Sequence, residues 1–161
     1  MKINLTINGN TKVYEIESNM KLLDLLRKEH YFSVKNCCSE GTCGSCTVLV
    51  NGKAVQSCIL PAASIKDSEI ETLEYFTETE DYEDIKTGFK QAGVHLCGYC
   101  NPGKIFATWE LISNNSRPAK EDIIKYIKCQ KCRCTENETL IKGVILCAAL
   151  RRSRTGAMKN V

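Results

Sequence analysis

Five of the chain's eleven cysteines fall in one short stretch, NCCSEGTCGSCTVLVNGKAVQSC, running from Asn36 to Cys58. Cys38, Cys43 and Cys46 stand in C-x4-C-x2-C spacing, and Cys58 follows after eleven residues. That order of gaps is the signature of a plant-type [2Fe–2S] cluster. The chemistry asks for it. Two irons bridged by sulfide need four thiolates converging on a small rhomb. One loop can supply three of them only if its backbone folds tightly around the cluster, and Gly41 and Gly44 permit positive φ and close approach there. N–H groups left free in such a loop can point at the sulfurs and tune the potential. The fourth thiol comes at the end of the following hairpin, which anchors the loop to a sheet. A structural zinc site is the alternative, but its paired C-x2-C knuckles fit a four-residue gap less well. Cys37 lacks the right distance to Cys43 and reads as an idle or buried thiol.

Further on, Cys97 and Cys100 make C-x2-C, and Cys132 and Cys134 make C-x-C. Each pair precedes a helical pattern. Together they suggest one four-thiolate site held between two helix N-termini, where the dipole and free N–H groups favour negative charge. A structural zinc stapling a helical bundle is the alternative at this point. Cys129 and Cys147 read as non-ligands, Cys147 lying on an apolar helical face. Neither His30 nor His95 has a partner pattern, so surface or packing roles are expected for both. The chain has no GxGxxG, no Walker loop and no Ser/His/Asp constellation. Two redox sites without a substrate site suggest a relay that passes electrons between partners.

The elements that would carry these thiols are legible in outline. KINLTINGNTKVYEIES alternates apolar and polar residues about Asn8-Gly9-Asn10 and predicts a hairpin. Leu22, Leu23, Leu25 and Leu26 make a helical stripe. TVLVNGKAVQSC predicts a second hairpin turning at Asn51-Gly52, and SEIETLE one more short strand. From about residue 80 helices dominate. TEDYEDIKTGFKQAG stops on Gly93. NPGKIFATWELISNN opens with Asn101 as cap and Pro102 at the first helical position. PAKEDIIKYIK carries acids first and basics last. TENETLIKGVILCAALRRS has Thr135 as cap, with Glu138 three residues on. Four helices on short loops read as a small bundle. The expected boundary lies near 74–82, acidic and without a clear period.

Composition narrows the function classes. The 161 residues are 43% hydrophobic and 25% charged, ordinary for a folded chain. No apolar run approaches a membrane span, and the N-terminus does not read as a secretory signal, so a cytoplasmic location is expected. Reduced thiols follow from that location, which points dense cysteine towards metal chemistry rather than disulfides. The net charge of +3 is too small to suggest nucleic acid. Residues 1–80 carry 8 basic against 11 acidic side chains, and residues 81–161 carry 14 against 8. RRSRTGAMKNV at the C-terminus supplies four of those basic groups and reads as a solvated tail or a docking arm.

KNCCSEGTCGSCTVLVNGKAVQSC followed by CGYCNPG and CRCT resembles the small iron–sulfur subunit of the molybdenum hydroxylases, the family of xanthine dehydrogenase and aldehyde oxidoreductase. The resemblance covers roughly residues 2–148. It implies an α+β fold: a β-grasp plant-type ferredoxin domain over 1–76, an all-α four-helix bundle over 80–150, and a basic C-terminal tail over 151–161. It implies two [2Fe–2S] clusters, one on Cys38, Cys43, Cys46 and Cys58, the other on Cys97, Cys100, Cys132 and Cys134. Molybdopterin and FAD would sit on partner subunits, a large and a medium one, in a hetero-oligomer. Electrons would pass from the molybdopterin site through both clusters to flavin. The chain departs from the family pattern at Leu96 (commonly Gln), Asn101 (usually Thr) and Lys104 (commonly Met), at Glu136 and Asn137, and at Cys129, which replaces a usual Gly. All lie around the bundle site and leave the cysteines intact. They put the pterin-side contact in question. They also leave open a two-cluster ferredoxin-type carrier in a complex lacking molybdenum.

Overall fold

The structure, a computed structural model, describes residues 1–128, 132 and 134–158. β1 (Lys2–Ile7) and β2 (Asn10–Glu15) pair antiparallel, as do β3 (Thr47–Val50) and β4 (Lys53–Gln56). Both hairpins turn on Asn-Gly with positive φ at each central residue: 51° and 79° at Asn8-Gly9, 49° and 75° at Asn51-Gly52. Two positive φ values match the strand twist, and only Gly and Asn reach them cheaply. The turn asparagines also hold β5 (Glu69–Glu71) between the hairpins. Asn8 Oδ1 accepts from Thr72 N at 2.9 Å, and Asn51 Oδ1 from Glu69 N at 2.9 Å. The sheet runs β2-β1-β5-β3-β4, with β1 and β5 parallel.

Helix α1 (Leu22–Lys28) covers one face of this sheet. Its four leucines are buried with Ile3, Leu5, Ile7, Val48 and Ile70 in one core. Alternation explains the strand contribution: Ile3, Leu5 and Ile7 share one face of β1. The opposite face of β3 is not left to solvent. Leu49 belongs to a second core, shared with Phe76, Phe89, Ile105 and Phe106.

That second core belongs to the helices α2 (Leu73–Phe76), α3 (Glu80–Ala92), α4 (Asn101–Asn114), α5 (Lys120–Lys128) and α6 (Asn137–Met158). Thr79 Oγ1 caps α3 by accepting from Tyr82 N at 3.2 Å, and Gly93 ends it at φ 79°. α4 lies against β3 and β4 as well as its sister helices, and Glu110 Oε2 accepts from Ala54 N at 3.1 Å. This one helix therefore connects sheet and bundle.

The structure differs from expectation in four places. The stretch 74–82 contains α2, a single turn too short to show a period, which buries Phe76 against Phe106 and Trp109. Cys100, not Asn101, is the N-cap of α4, so Pro102 sits one position further in. α6 begins after Thr135, whose hydroxyl is engaged elsewhere. Residues 151–158 are not a tail but the last turns of α6. Arg151 Nε lies 3.1 Å from Asp81 Oδ1, and Arg154 bonds Asp81, Asp84 at 2.8 Å and Glu80 at 2.9 Å. The acids in the first turn of α3 complement its dipole, the arginines toward the C-terminal end of α6 complement that helix's, and the ion pairs between them clasp the two helices together.

Asp81 is the hub of that clasp, since Trp109 Nε1 also donates to it at 2.7 Å. Burial raises its pKa, but the bonds from Arg151 and Trp109 outweigh it and hold the carboxyl below its usual range. A depressed folded pKa means the contribution is complete above the unfolded value and fades as pH falls through the folded one. Asp81→Asn is expected to cost about 1–3 kcal/mol at pH 7. Urea titrations at descending pH should show the gap to wild type closing in acid. Equal midpoints at pH 7 would contradict the hub role.

Candidate iron–sulfur sites

The loop after α1 curls through positive φ at Ser39, Gly41 and Gly44. Its last turn is fixed by Thr47, whose N–H and hydroxyl both donate to Gly44 O, at 3.2 and 2.8 Å. The hairpin end is fixed to it by Ser57, whose hydroxyl donates to Cys46 O at 2.7 Å. Cys46 and Cys58 are thereby buried, with Cys38 and Cys43 nearer the surface. The four thiols come together. The Cys43 N–H donates to Cys38, Cys46 and Cys58 share a hydrogen bond, and Cys38 lies within electrostatic reach of Cys58.

Several features of this loop fit a bound iron–sulfur cluster. N–H groups aim at sulfur: Glu40 and Thr42 at Cys38 Sγ, at 3.5 and 3.4 Å, and Ser45 at Cys43 Sγ, at 3.5 Å. The bonds from Glu40 and Cys43 pull the Cys38 thiol down to about 5. Burial, then sharing with Cys46, pushes Cys58 up to about 12. A loop that ionises one thiol and holds another protonated is suited to metal that displaces the protons. Ser45 Oγ is fully buried without a hydrogen-bond partner among the described atoms. Such a hydroxyl is costly unless something accepts its proton. Sequence reasoning missed Ser45, although its place between Cys43 and Cys46 was a signal.

The second quartet is assembled by two segments. Cys97 and Cys100 lie on the turn entering α4, and Cys132 and Cys134 on the approach to α6. Cys97 shares a hydrogen bond with Cys134, and Cys100 with Cys132. His95 and Thr135 pin the approaches together: His95 N donates to Thr135 Oγ1 at 3.1 Å, and that hydroxyl donates back to His95 O at 3.3 Å. His95 therefore acts through its backbone. Burial raises Cys100 to about 11, whereas the Tyr99 N–H lowers Cys97. Beneath these thiols lies Lys104, 1% exposed, donating to His95 O at 2.9 Å. Lys104, Thr108 and Leu111 form a buried i, i+4, i+7 row, so a charge in register with Leu111 was the overlooked signal.

The two quartets are neighbours. A Cβ on Gly103, in the first turn of α4, would stand 3.0 Å from both Cα and O of Gly44. Lys35 Nζ donates to Gly98 O, and the Cys37 thiol meets the Tyr99 hydroxyl. Cys37 is thus exposed at the seam and outside the first quartet. Cys147 is a core thiol, held near 12 by burial. The expectation for Cys129 lies outside the described residues. Among the described residues no three His, Cys, Asp or Glu side chains could hold a single metal ion. A two-iron rhomb asks for two thiolates per iron, a more open arrangement than one ion requires.

Residues 6–85 match the 2Fe-2S iron-sulfur cluster binding domain family, and residues 72–145 the [2Fe-2S] binding domain family. The chain is 41% identical over 134 residues to the nicotinate dehydrogenase small FeS subunit of Eubacterium barkeri, covering 83% of this chain and 85% of that one. It is 33% identical to the xanthine dehydrogenase iron-sulfur-binding subunit of Escherichia coli O157:H7, covering 90% and 92%. Among solved structures, quinoline 2-oxidoreductase from Pseudomonas putida 86 superposes with a TM-score of 0.83 at 30% identity, covering 97% of each chain. With both halves matched and relatives spanned nearly end to end, the chain belongs to the family of small [2Fe–2S] subunits of the molybdenum hydroxylases.

Proposed function

We propose that this chain is the electron-transfer subunit of a molybdenum-dependent hydroxylase or dehydrogenase. Cys38, Cys43, Cys46 and Cys58 would hold one [2Fe–2S] cluster, and Cys97, Cys100, Cys132 and Cys134 a second. Each cluster supplies a site for one electron. The protein's part is to hold the two quartets at a fixed, short separation through the Gly44–Gly103 contact, and that is the observation on which the relay rests. Electrons would arrive from a molybdopterin-binding large subunit at the bundle side and leave to an FAD-binding medium subunit at the loop side. No substrate is turned over on this chain.

Exposed apolar side chains around the first loop and the seam, Phe32, Ile59 and Tyr99, suit docking to partner subunits. Chains this dense in cysteine ligands suit a reducing compartment, and the location we infer is cytoplasmic. No helix among the described residues is long and apolar enough to cross a membrane. A two-cluster carrier in a complex without molybdenum is not favoured, since the relatives are named as subunits of nicotinate and xanthine dehydrogenases.

Elemental analysis of the complex that co-purifies with this chain, isolated anaerobically, tests the reading. About four irons from this chain are expected, two per cluster, with molybdenum and flavin in the same peak. Zinc in place of iron would overturn it, and iron without molybdenum would move the relay to another redox complex.

A further inference from the structure

Lys104 stands where a cation should not. Its side chain is buried to 1% exposure, and a buried charge is expensive unless paired. It occupies the first turn of α4, where the helix dipole favours anions and opposes cations. Among the described residues no carboxylate pairs with it; the ion pairs all lie elsewhere. The hydrogen bond to His95 O satisfies one of its donors without neutralising the charge. It also lines a small, largely apolar cleft with Ala107, Ile123, Ile127 and Leu140. What remains to balance it is the second cysteine quartet. Its backbone N–H donates to Cys100 O at 3.3 Å, one helical turn from that thiol, and its ammonium lies within electrostatic reach of Cys132, Cys97, Cys100 and Cys134.

We infer that Lys104 is the built-in counter-charge of the bundle cysteine site, and that its ammonium sets the reduction potential of that site above what four thiolates alone would give. The inference rests on the reading of the quartet as a [2Fe–2S] site. Reduction brings one electron to the site from an external donor, which is oxidised in turn; no bond is made or broken at Lys104. The added negative charge is stabilised by a fixed cation beside it, and strongly so where water is excluded. The first quartet has no such buried cation among the described residues, only N–H groups and the Ser45 hydroxyl. Lys104 therefore acts on one site of the pair, and so sets the driving force between them. Its bond to His95 O also holds the segment leading to Cys97, a positioning role that Lys104→Met removes together with the charge and that an unmoved first-cluster midpoint with both clusters still bound separates from misfolding.

The test is a reductive titration of the full chain, loaded with iron and sulfide, followed by the separate electron paramagnetic resonance signals of the two clusters. Lys104→Met keeps the length of the side chain and fits the apolar cleft while removing the charge. It should lower the bundle midpoint by a tenfold or greater change in equilibrium, about 59 mV for one electron, and leave the first cluster's midpoint unmoved. Lys104→Arg should restore the wild-type value. An unmoved bundle midpoint in Lys104→Met, or an equal shift of both clusters, overturns the proposal. If Lys104→Met takes up only the first cluster, retention of both in Lys104→Arg supports a charge requirement, and loss in both variants overturns it in favour of shape. A wild-type chain that never takes up a second cluster would instead overturn the two-site reading, and this proposal with it.

Discussion

Cys43→Ser should strip the chain of half its iron and leave the bundle cluster in place. Cys43 is the member of the first quartet best suited to the test because it is not part of the hydrophobic core. Cys46 and Cys58 pack with Val48, Leu22 and Ala62, so changing either would also bury a hydroxyl. Cys43 is partly exposed, its sulfur met by the Ser45 N–H. Serine keeps the size and a weak version of that bond but removes the thiolate. With three ligands left, the loop of 37–46 loses the metal that staples it, and metal binding is folding energy in such loops. Stability of the metal-free sheet should change by no more than about 0.5 kcal/mol, as for a surface substitution. Iron per chain, visible absorbance and the two resonance signals report the result. Full iron content in Cys43→Ser would remove Cys43 from the ligand set. Cys37→Ala is the control, because Cys37 is exposed at the seam and off the spacing. It should keep both clusters, and loss of the first one there would mean that Cys37 and Cys38 have exchanged roles.

The spacing of the thiols divides them into two quartets, and the fold sets members of each near one another. Thiol spacing is legible in sequence because short gaps and turn residues such as Gly41 and Gly44 are local. The Asn-Gly hairpins and the leucine stripe of α1 were legible for the same reason: a turn or a period needs only its own neighbours. What was not legible depended on contacts far along the chain. Arg151 and Arg154 read as a basic tail until α3, 70 residues earlier, supplies their carboxylates. Thr135 read as a helix cap until His95, 40 residues away, takes its hydroxyl. Lys104 drew notice as a departure from the family pattern near a partner contact. Its burial under four thiols needed the third dimension, since no local rule says which side of α4 faces the cysteine segments.

The close approach of the two halves predicts a second large effect, at Gly103. Glycine in a helix is ordinarily a weakness, up to about 1 kcal/mol against alanine, so its presence in the first turn of α4 calls for a reason. The reason is backbone: a Cβ there meets Cα and O of Gly44 at 3.0 Å, and neither can rotate away. Gly44 has no freedom to yield, because its φ of 75° and both bonds from Thr47 fix the turn that presents Cys43 and Cys46. Gly103→Val adds two further methyl groups and must push α4 off the loop. The overpacking cost is about 1–3 kcal/mol. It falls on the seam, since the sheet core and the core of the helix bundle lie on either side of it. Each quartet keeps its own thiols, so both clusters should still form with unchanged iron content. Their separation grows, and electron tunnelling falls exponentially with separation. Rapid-freeze resonance should therefore show slower equilibration between the two clusters in Gly103→Val at near-normal midpoints. That pattern differs from Lys104→Met, where the midpoint moves and the separation does not. Wild-type equilibration and wild-type thermal stability in Gly103→Val together would mean that the Gly44–Gly103 contact is not what sets the spacing of the relay.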